Sequence, residues 1–457
     1  MLRSAPFHSN AKTGAILALT LAAVVLLVNY PVRGPVIQAD EGSYLTNAAA
    51  LAGFPNDFAS SYHAGYSLFL VPAFLLGNTP DAVWRRVKLI NVLLYGWTIL
   101  LLWRLSSLLH PEADAKTRFV GVGLVSLYPM WVVMAGYAFA QIAYVPFYLL
   151  TLILFVRAAI GKEFHSICLG VVSGFLYWIH PTGMVSIISV AISGFYVAWL
   201  RRRFGSFAVL ICSIMLMILA YHLGLVPWLH GRMTISGELP RLHYPGVGKI
   251  IEPLLSLDGI KEVLARTGGH IFYLSIGSMG LIWAGLDAFI SSLVGIQQTS
   301  DTRDFTVRRA MAVFVILSLV GTVGLSVLLF SGNNQEPRID HWLHGRYVEG
   351  VIAPILLAGA LRSSLRKGLW AIPAAVLGGI LLATKLRTYT NNAPMNVSAF
   401  WQYFFLEKQG LWAWLASGCF LVVLGAGLPR RFGILAHPYD LCIFELLANP
   451  LAHGGGK

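Results

Sequence analysis

The sequence predicts an all-α, polytopic membrane protein with about twelve transmembrane helices and short interfacial helices on its outer face. Of its 457 residues, 57% are hydrophobic and 12% are charged, whereas about 25% of the residues of a soluble domain are charged. Apolar runs of roughly 20 residues, the length that crosses a hydrocarbon core of about 30 Å, recur along the whole chain. No soluble domain of ordinary size fits between these runs, so residues 1–457 are predicted to form a single transmembrane domain.

The order of the apolar runs assigns each loop to one side of the membrane. The predicted spans are 14–32, 86–105, 119–137, 140–158, 166–182, 183–200, 206–228, 270–292, 310–331, 346–361, 369–386 and 409–428. With a cytoplasmic N-terminus, residues 33–85 form the first extracytoplasmic loop, residues 229–269 form another loop on that face, and residues 429–457 form a cytoplasmic tail. Both termini are then cytoplasmic.

The distribution of basic residues supports this orientation. A formal charge of +13 would suit a nucleic-acid partner if it formed one patch. Nearly all the tight clusters instead lie in the short loops placed on the cytoplasmic side, including Arg201 to Arg203, and such a bias orients membrane spans. We therefore predict an integral protein of the inner or plasma membrane that contacts membrane lipids and binds no nucleic acid.

Two shorter stretches of the first loop are predicted to lie in the outer interface. Residues 65–77 form an apolar run of 13 residues, which is too short to cross a bilayer. Residues 41–53 place apolar side chains at helical spacing, beginning with Tyr44. Both stretches would cover a cavity at the edge of the membrane.

Two adjacent carboxylates, Asp40 and Glu41, follow the first span at this edge. An aspartate before a helix is a good N-cap, and a glutamate in the first turn suits the helix dipole, each contributing about 1 kcal/mol or less. Capping explains one carboxylate adequately and a pair less well. We therefore predict a catalytic role for the pair, with capping as the alternative.

A second candidate site is Arg346, with Tyr347 beside it, at the outer mouth of the tenth predicted span. An arginine suits a phosphate because its planar N–H groups bind two oxygens at once. The alternative is an interfacial anchor, since arginine and tyrosine collect at headgroup level, with Arg346 paired to Glu349 one turn later. The sequence leaves both interpretations open.

Two histidines complete the predicted set of donor- and phosphate-binding residues. His180 lies at the outer end of the fifth predicted span, and His63 precedes the short apolar run of the first loop. For each, the alternative is a buried histidine satisfied by its neighbours. The sequence has no Cys-x-x-Cys or His-x-x-x-His spacing, so no metal ligands are assigned, and the question of a divalent metal stays open.

Several motifs occur in the order found in one enzyme superfamily. They are the Asp40-Glu41 pair, "HAGYSLFLVPAFLLG", "WRRVKLINVLLYG", "GYAFAQIAYVPFYLLTLILF", "GFLYWIHPTGM" and a late "HGRYVEG". With these motifs the chain resembles the GT-C glycosyltransferases, which include protein O-mannosyltransferases and the lipid A aminoarabinose transferase. The resemblance covers roughly the first 200 residues and then the segment around Arg346.

The resemblance implies many membrane helices, an extracytoplasmic active site and a polyprenyl-phosphate-linked sugar donor. It also implies an acidic residue of the first loop as catalytic base, which by motif is Asp40, with Glu41 as its neighbour. The chain departs from relatives at residues 60–62, where aminoarabinose transferases have Glu-Lys-Pro, at Gln141, where an acidic residue often stands, and at His180, where many relatives have arginine. These departures leave metal binding and the donor-phosphate contacts open.

The sequence therefore predicts a membrane glycosyltransferase that moves a sugar from this donor to a lipid, glycan or protein acceptor on the extracytoplasmic face. One alternative is a secondary transporter or lipid flippase, which should place charges deep in its spans and show broken helices or repeats. Another is a membrane scaffold without catalysis. The clustering of ionisable residues at the outer edge favours the enzyme.

Overall fold

The computed structural model describes residues 9–35, 39–54, 60, 62–160, 163–232, 247–295, 302–331, 341–362 and 370–383. All the regular structure in these residues is helical, which confirms the predicted all-α class. In chain order the helices are α1 Ser9–Asn29, α2 Ala39–Leu51, α3 Gly65–Leu76, α4 Pro80–Leu109, α5 Ala115–Ser126, α6 Pro129–Met134, α7 Gln141–Ile160, α8 Glu163–Ile179, α9 Gly183–Arg201, α10 Phe204–Leu219, α11 Val226–His230, α12 Val247–Ile251, α13 Leu257–Gly277, α14 Leu281–Val294, α15 Thr302–Ser331, α16 Ala353–Arg362 and α17 Ala371–Ala383.

Six helical stretches of the described chain are long and apolar enough to cross a membrane. They are Ala11–Asn29, Pro80–Leu109, Gln141–Ile160, Gly183–Arg201, Phe204–His230 and Phe305–Ser331. The pair α13 and α14 makes a seventh if it is counted as one bent span. The chain is thus an integral membrane protein, and the predicted number of twelve spans is not confirmed. The predicted span 409–428 and the predicted tail 429–457 lie outside the described residues, as does 233–246 of the predicted loop 229–269.

Three predicted spans differ from the observed helices. The predicted span 270–292 is bent by 104° between α13 and α14, where Met279 and Gly280 have φ of 48° and 79° and turn the chain out of helical geometry. The predicted span 119–137 divides into α5 and α6, because Pro129 starts a new helix. The predicted span 346–361 begins with a 3-10 turn, Gly345–Gly350, ahead of the short helix α16.

The two stretches predicted to lie in the interface form α2 and α3. The helices pack against each other through Tyr44 and Tyr66, whose ring centroids are 5.4 Å apart. The Ser67 hydroxyl donates to the Tyr44 carbonyl at 2.8 Å, and the Asn47 amide donates to the Tyr62 carbonyl at 3.0 Å. The helices are confirmed, and their position at the membrane surface stays a prediction.

One face of α4 holds the ends of neighbouring segments in place. Lys88 Nζ donates to the carbonyls of Asn29, Tyr30 and Val32 at 2.9 to 3.2 Å, where α1 ends. One turn on, Asn91 donates to the Tyr137 carbonyl at 2.7 Å. Residues at this spacing share a helix face, so α4 aligns the exit of α1 with the segment before α7. This alignment places the first loop beside residues 135–140, where the candidate site lies.

Candidate active site

The Asp40 carboxylate lies in the first turn of α2, and both of its oxygens have partners. Oδ2 forms an ion pair with a terminal nitrogen of Arg346. Oδ1 accepts a hydrogen bond of 2.6 Å from the Tyr62 hydroxyl. Burial and the negative charge of Asp40 raise the pKa of Tyr62 above its usual range, so this hydroxyl remains a donor. Two predicted site residues from distant parts of the chain therefore meet.

Arg346 is a buried cation with a further hydrogen-bond donor available. The residue is 9% exposed, and its guanidinium lies 4.9 Å from the ring centroid of Phe139. Burial alone lowers the pKa of Arg346, but Asp40 and the neighbouring tyrosines raise it overall, so the side chain keeps its charge. Its buried Nε–H has no hydrogen-bond partner among the residues that the structure describes. A guanidinium held in this way can bind an additional anion, to which its Nε–H would donate.

The turn Gly345–Gly350 brings Arg346 to Asp40, and its two glycines allow close packing at both ends. A Cβ on Gly345 would overlap the Tyr273 ring, and one on Gly350 would lie 2.5 Å from the Tyr144 ring. Any other residue at either position would therefore push the turn away from α13 or α7. This explains why glycine flanks the motif "GRYVEG".

Glu349 lies in the same turn but is not the partner of Arg346. Its Oε1 accepts hydrogen bonds from the hydroxyls of Tyr273 and Tyr128, the latter at 3.3 Å. The residue is 1% exposed, and burial raises the pKa of its carboxyl to about 8 although the two hydrogen bonds act in the opposite direction. The pairing of Arg346 with Glu349, considered from the sequence, is therefore replaced by the pairing with Asp40.

His180 and Tyr347 lie together beside Arg346. Their ring centroids are 5.2 Å apart, and the guanidinium carbon of Arg346 is 5.9 Å from the Tyr347 ring. His180 Nδ1 lies 2.8 Å from the Thr182 hydroxyl and 3.3 Å from the Thr182 backbone N–H. The backbone group can only donate, so it makes Nδ1 an acceptor and leaves the ring proton on Nε2.

Glu41 points to a different place from its neighbour Asp40. The side chain is fully buried, and Oε1 accepts a hydrogen bond of 2.9 Å from the backbone N–H of Ala138. It thereby fixes the segment that carries Phe139, whose ring lies against Arg346. Glu41 thus supports the wall of the site, while Asp40 faces the cation.

His63 lies in an aromatic cluster next to the site. Its Nδ1 is hydrogen-bonded to the Tyr177 carbonyl, and its ring stacks on Tyr221 at 5.1 Å. A π-helical turn, Ala220–Leu225, places that tyrosine, so that its hydroxyl accepts from the Ala64 N–H at 3.2 Å. Burial lowers the pKa of His63 to about 4. His63 is therefore neutral at physiological pH and does not touch Asp40 or Arg346.

The structure thus brings together four of the six predicted site residues: Asp40, Arg346, Tyr347 and His180. Sequence reasoning missed Tyr62, Phe139 and the two tyrosines that contact Glu349. An aromatic residue in an apolar chain carries no signal of its own, although Tyr62 occupies a position already noted as a departure from relatives. Within the described ranges, no group of three or more His, Cys, Asp or Glu side chains is arranged to hold a metal ion.

Comparison with known proteins gives two similar solved structures, both of ArnT from Cupriavidus metallidurans. The apo structure has 16% identity and a TM-score of 0.45 over 90% of this chain and 75% of that chain. The structure bound to undecaprenyl phosphate has 15% identity and a TM-score of 0.46 over 94% of this chain and 77% of that chain. No protein-family model and no curated protein matches the chain. What the site can do chemically therefore has to be read from its own side chains.

Proposed function

We propose that this chain is a membrane glycosyltransferase that moves a sugar from a polyprenyl-phosphate-linked donor to the hydroxyl of an acceptor. The observation that supports this most is the ion pair between Asp40 and Arg346. Glycosyl transfer from a lipid phosphate needs a base for the acceptor hydroxyl and a cation for the leaving phosphate. The pair supplies one of each, from parts of the chain that only folding brings together.

In the proposed reaction, the acceptor oxygen attacks the anomeric carbon of the sugar. The bond from that carbon to the phosphate oxygen breaks, and the bonding electrons leave with the polyprenyl phosphate. Asp40 takes the proton of the acceptor hydroxyl, a role that contributes about 10² to 10⁴ in rate. Arg346 neutralises the charge that develops on the phosphate. Tyr62 holds Asp40 in the orientation that faces the acceptor.

Arg346 has to serve both the base and the donor. One terminal nitrogen contacts Asp40, and Nε has no partner in the described part of the chain. A donor phosphate that bonds to the guanidinium competes with Asp40 for its charge. The contact with Asp40 loosens as the phosphate binds, which frees a carboxylate oxygen for the acceptor proton. Tyr347 lies next to the guanidinium and His180 next to Tyr347, and both bind the donor with Arg346.

We place the end of the helices that carries Asp40 and Arg346 on the extracytoplasmic face of the inner or plasma membrane, with both termini cytoplasmic. The support is the positive-inside bias of the opposite loops, including Arg201 to Arg203. Single cysteines at Asn78 and Gly205, both exposed, test this in a chain whose natural cysteines are replaced. A membrane-impermeant reagent should label position 78 of intact cells and leave 205 unlabelled; the reverse pattern inverts the topology.

The acceptor belongs to the lipid, glycan or protein class, and we expect residues 229–269 to contribute to its choice. The reaction is tested with the full chain in membranes supplied with a polyprenyl-phosphate sugar labelled in the sugar. Wild-type protein should release polyprenyl phosphate as the label moves to the acceptor, and Asp40→Asn should not. Release that is unaffected by Asp40→Asn contradicts the proposal.

A secondary transporter or lipid flippase is the second candidate, and one observation favours it. The pair α13 and α14 is bent by 104°, and transporters use broken helices at their binding sites. The same labelled donor distinguishes the two functions. A transporter moves the intact donor across a sealed vesicle membrane, whereas the enzyme cleaves the bond between sugar and phosphate.

A further inference from the structure

A second carboxyl group, that of Glu349, lies in the same turn, Gly345–Gly350, as Arg346. Its Oε1 is held by the hydroxyls of Tyr128 and Tyr273. The backbone carbonyl of the same residue accepts from the Trp131 indole at 3.3 Å. Three side chains from two different segments therefore fix both ends of this residue. The other carboxyl oxygen, Oε2, is buried and has no hydrogen-bond partner within the described ranges.

Glu349 and Gln141 both line one small cavity. The cavity is lined by Tyr95 and Thr98 of α4, by Trp131, and by Gln141 and Glu349 among others, and it holds about one water molecule. Gln141 is 8% exposed, and its Oε1 is also buried without a hydrogen-bond partner among the described residues. Two buried acceptors that line one cavity in this way each lose a hydrogen bond on burial. A proton on Glu349 removes this deficit, because the acid O–H donates to Gln141 directly or through one water.

The charges around Glu349 favour the protonated form. Within the described part of the chain, no lysine, arginine or histidine lies within ion-pair distance of its carboxyl, and the positive charge of Arg346 is directed to Asp40. Burial raises the pKa of Glu349 to about 8. The titratable groups on the elements packed against the turn are Tyr95 of α4, Tyr128 ahead of α6, Tyr144 of α7, His270 and Tyr273 of α13, and Arg346 and Tyr347 of the turn itself.

We propose that Glu349 is a neutral carboxylic acid whose proton is shared with Gln141 across this cavity, and that this acid positions the turn that presents Arg346 to Asp40. Glu349 acts through the turn and touches neither the acceptor nor the donor. The two tyrosine hydroxyls that donate to Glu349 need an acceptor oxygen, and the buried amide oxygen of Gln141 needs a donor. A protonated carboxyl group meets both requirements. A carboxylate would leave a buried charge without a counter-ion.

Infrared spectroscopy of the purified full chain tests the charge state without reference to glycosyl transfer. At pH 6 to 7 the wild type should show the carbonyl band of a protonated carboxyl group, and the band should disappear as the pH rises through about 8. Glu349→Gln should lack this band. Glu262→Gln is the matched control, because Glu262 is ion-paired to Arg266 at 2.6 Å and should contribute no such band. Identical wild-type and Glu349→Gln spectra would overturn the proposal.

Gln141→Met tests the shared proton, because methionine has a similar length and offers no amide oxygen. The carbonyl band of Glu349 should move to higher frequency when its O–H loses this acceptor. An unmoved band contradicts the sharing.

The wild-type melting temperature gives a readout that needs no variant. Since the folded-state pKa of Glu349 is raised above its unfolded value, its stabilising effect is fully present below about pH 4 and is lost as the pH rises through about 8. The melting temperature should therefore fall between pH 6 and 9, and Glu349→Gln should show less of this fall. A fall of equal size in the variant and the wild type contradicts the neutral acid.

The positioning role rests on the proposed function and is read from activity. Glu349→Gln, a neutral isostere, should keep sugar transfer within about twofold of wild type at pH 7 and should be less sensitive to alkaline pH. Glu349→Leu keeps the site neutral but removes the oxygen that binds the two tyrosines, and transfer should fall at least tenfold. Equal activity of the two variants overturns the positioning role, whereas a normal infrared result with no transfer in the wild type refutes only the proposed function.

Discussion

Asp40 and Glu349 are two buried or half-buried carboxyl groups on either side of one arginine, and the structure gives them opposite surroundings. Asp40 is bound by a guanidinium and a tyrosine hydroxyl. Glu349 is bound by two tyrosine hydroxyls and lines a small cavity together with Gln141, with no cation within ion-pair distance in the described chain. The partner of each group, and not its distance in sequence from Arg346, sets its charge. One arginine can therefore keep Asp40, which we propose to be the base, charged while the neighbouring Glu349, on our proposal, stays neutral.

The largest difference between the two carboxyl groups is expected when each is replaced by the corresponding amide. Asp40→Asn removes the proton acceptor with almost no change in shape, so sugar transfer should fall by about 10² to 10⁴. Glu349→Gln imitates the protonated acid and should cost about twofold or less. The measurement is transfer in membranes matched for the amount of folded protein.

Two outcomes would contradict this prediction. An Asp40→Asn protein with near wild-type transfer means that Asp40 only caps α2, since asparagine caps about as well as aspartate. A Glu349→Gln protein as inactive as Asp40→Asn means that Glu349 has to be charged, and the contrast between the two carboxyls disappears.

Arg346→Lys tests the cation that is paired with Asp40. Lysine keeps the charge beside Asp40 and the preference for headgroup level, but it lacks the planar fork and the Nε–H. Losing a charge-assisted hydrogen bond costs about 1.5 to 3 kcal/mol, so use of the donor should fall by about tenfold to a hundredfold with normal insertion and folding. Full activity in Arg346→Lys together with loss in Arg346→Leu would restore the interpretation of Arg346 as an anchor.

The charged residues of the site could be predicted from the sequence, but the contacts that they make could not. Asp40, Arg346 and His180 are conspicuous because ionisable residues are rare at the ends of apolar runs. The pairing of Arg346 with Glu349, one of the two alternatives that the sequence left open, follows from helical spacing and so assumes an α-helix. The chain forms a 3-10 turn there, since Tyr273 and Tyr144 pack on Gly345 and Gly350. Tertiary packing of this kind leaves no trace in local periodicity.

The sequence predicted those helices whose position follows from the length and hydrophobicity of an apolar run. Spans such as 14–32 and 140–158 agree with α1 and α7 within a few residues at most boundaries, because an apolar run of that length has few alternatives in a bilayer. The break between α13 and α14 was not predicted, because Ser278 to Gly280 interrupt an apolar run without changing its hydrophobicity. A backbone with positive φ at Met279 depends on the surrounding helices.

Tyr62→Phe removes one of the two groups that bind the Asp40 carboxylate. The variant loses the hydrogen bond of 2.6 Å to Oδ1 and keeps the aromatic ring, which packs on Tyr44 at 5.5 Å. Transfer should fall by about tenfold, as expected for one hydrogen bond to a charged group, while the melting temperature stays close to that of the wild type. A loss as large as that of Asp40→Asn would make Tyr62 a catalytic residue.

Glu41→Gln should reduce transfer less than Asp40→Asn, Arg346→Lys or Tyr62→Phe, because the change leaves an acceptor in place. Glu41 binds the Ala138 N–H at 2.9 Å, and the amide oxygen of glutamine can accept the same hydrogen bond without the charge. A hydrogen bond to a charged group is worth about 1 kcal/mol more than a neutral one, so stability should fall by about that amount and transfer by a few-fold at most. The effect should appear mainly as a lower melting temperature, since Glu41 fixes the segment with Phe139 and does not face Arg346. An inactive Glu41→Gln protein with a healthy Asp40→Asn protein would exchange the roles of the two neighbours, and Glu41 would then be the base.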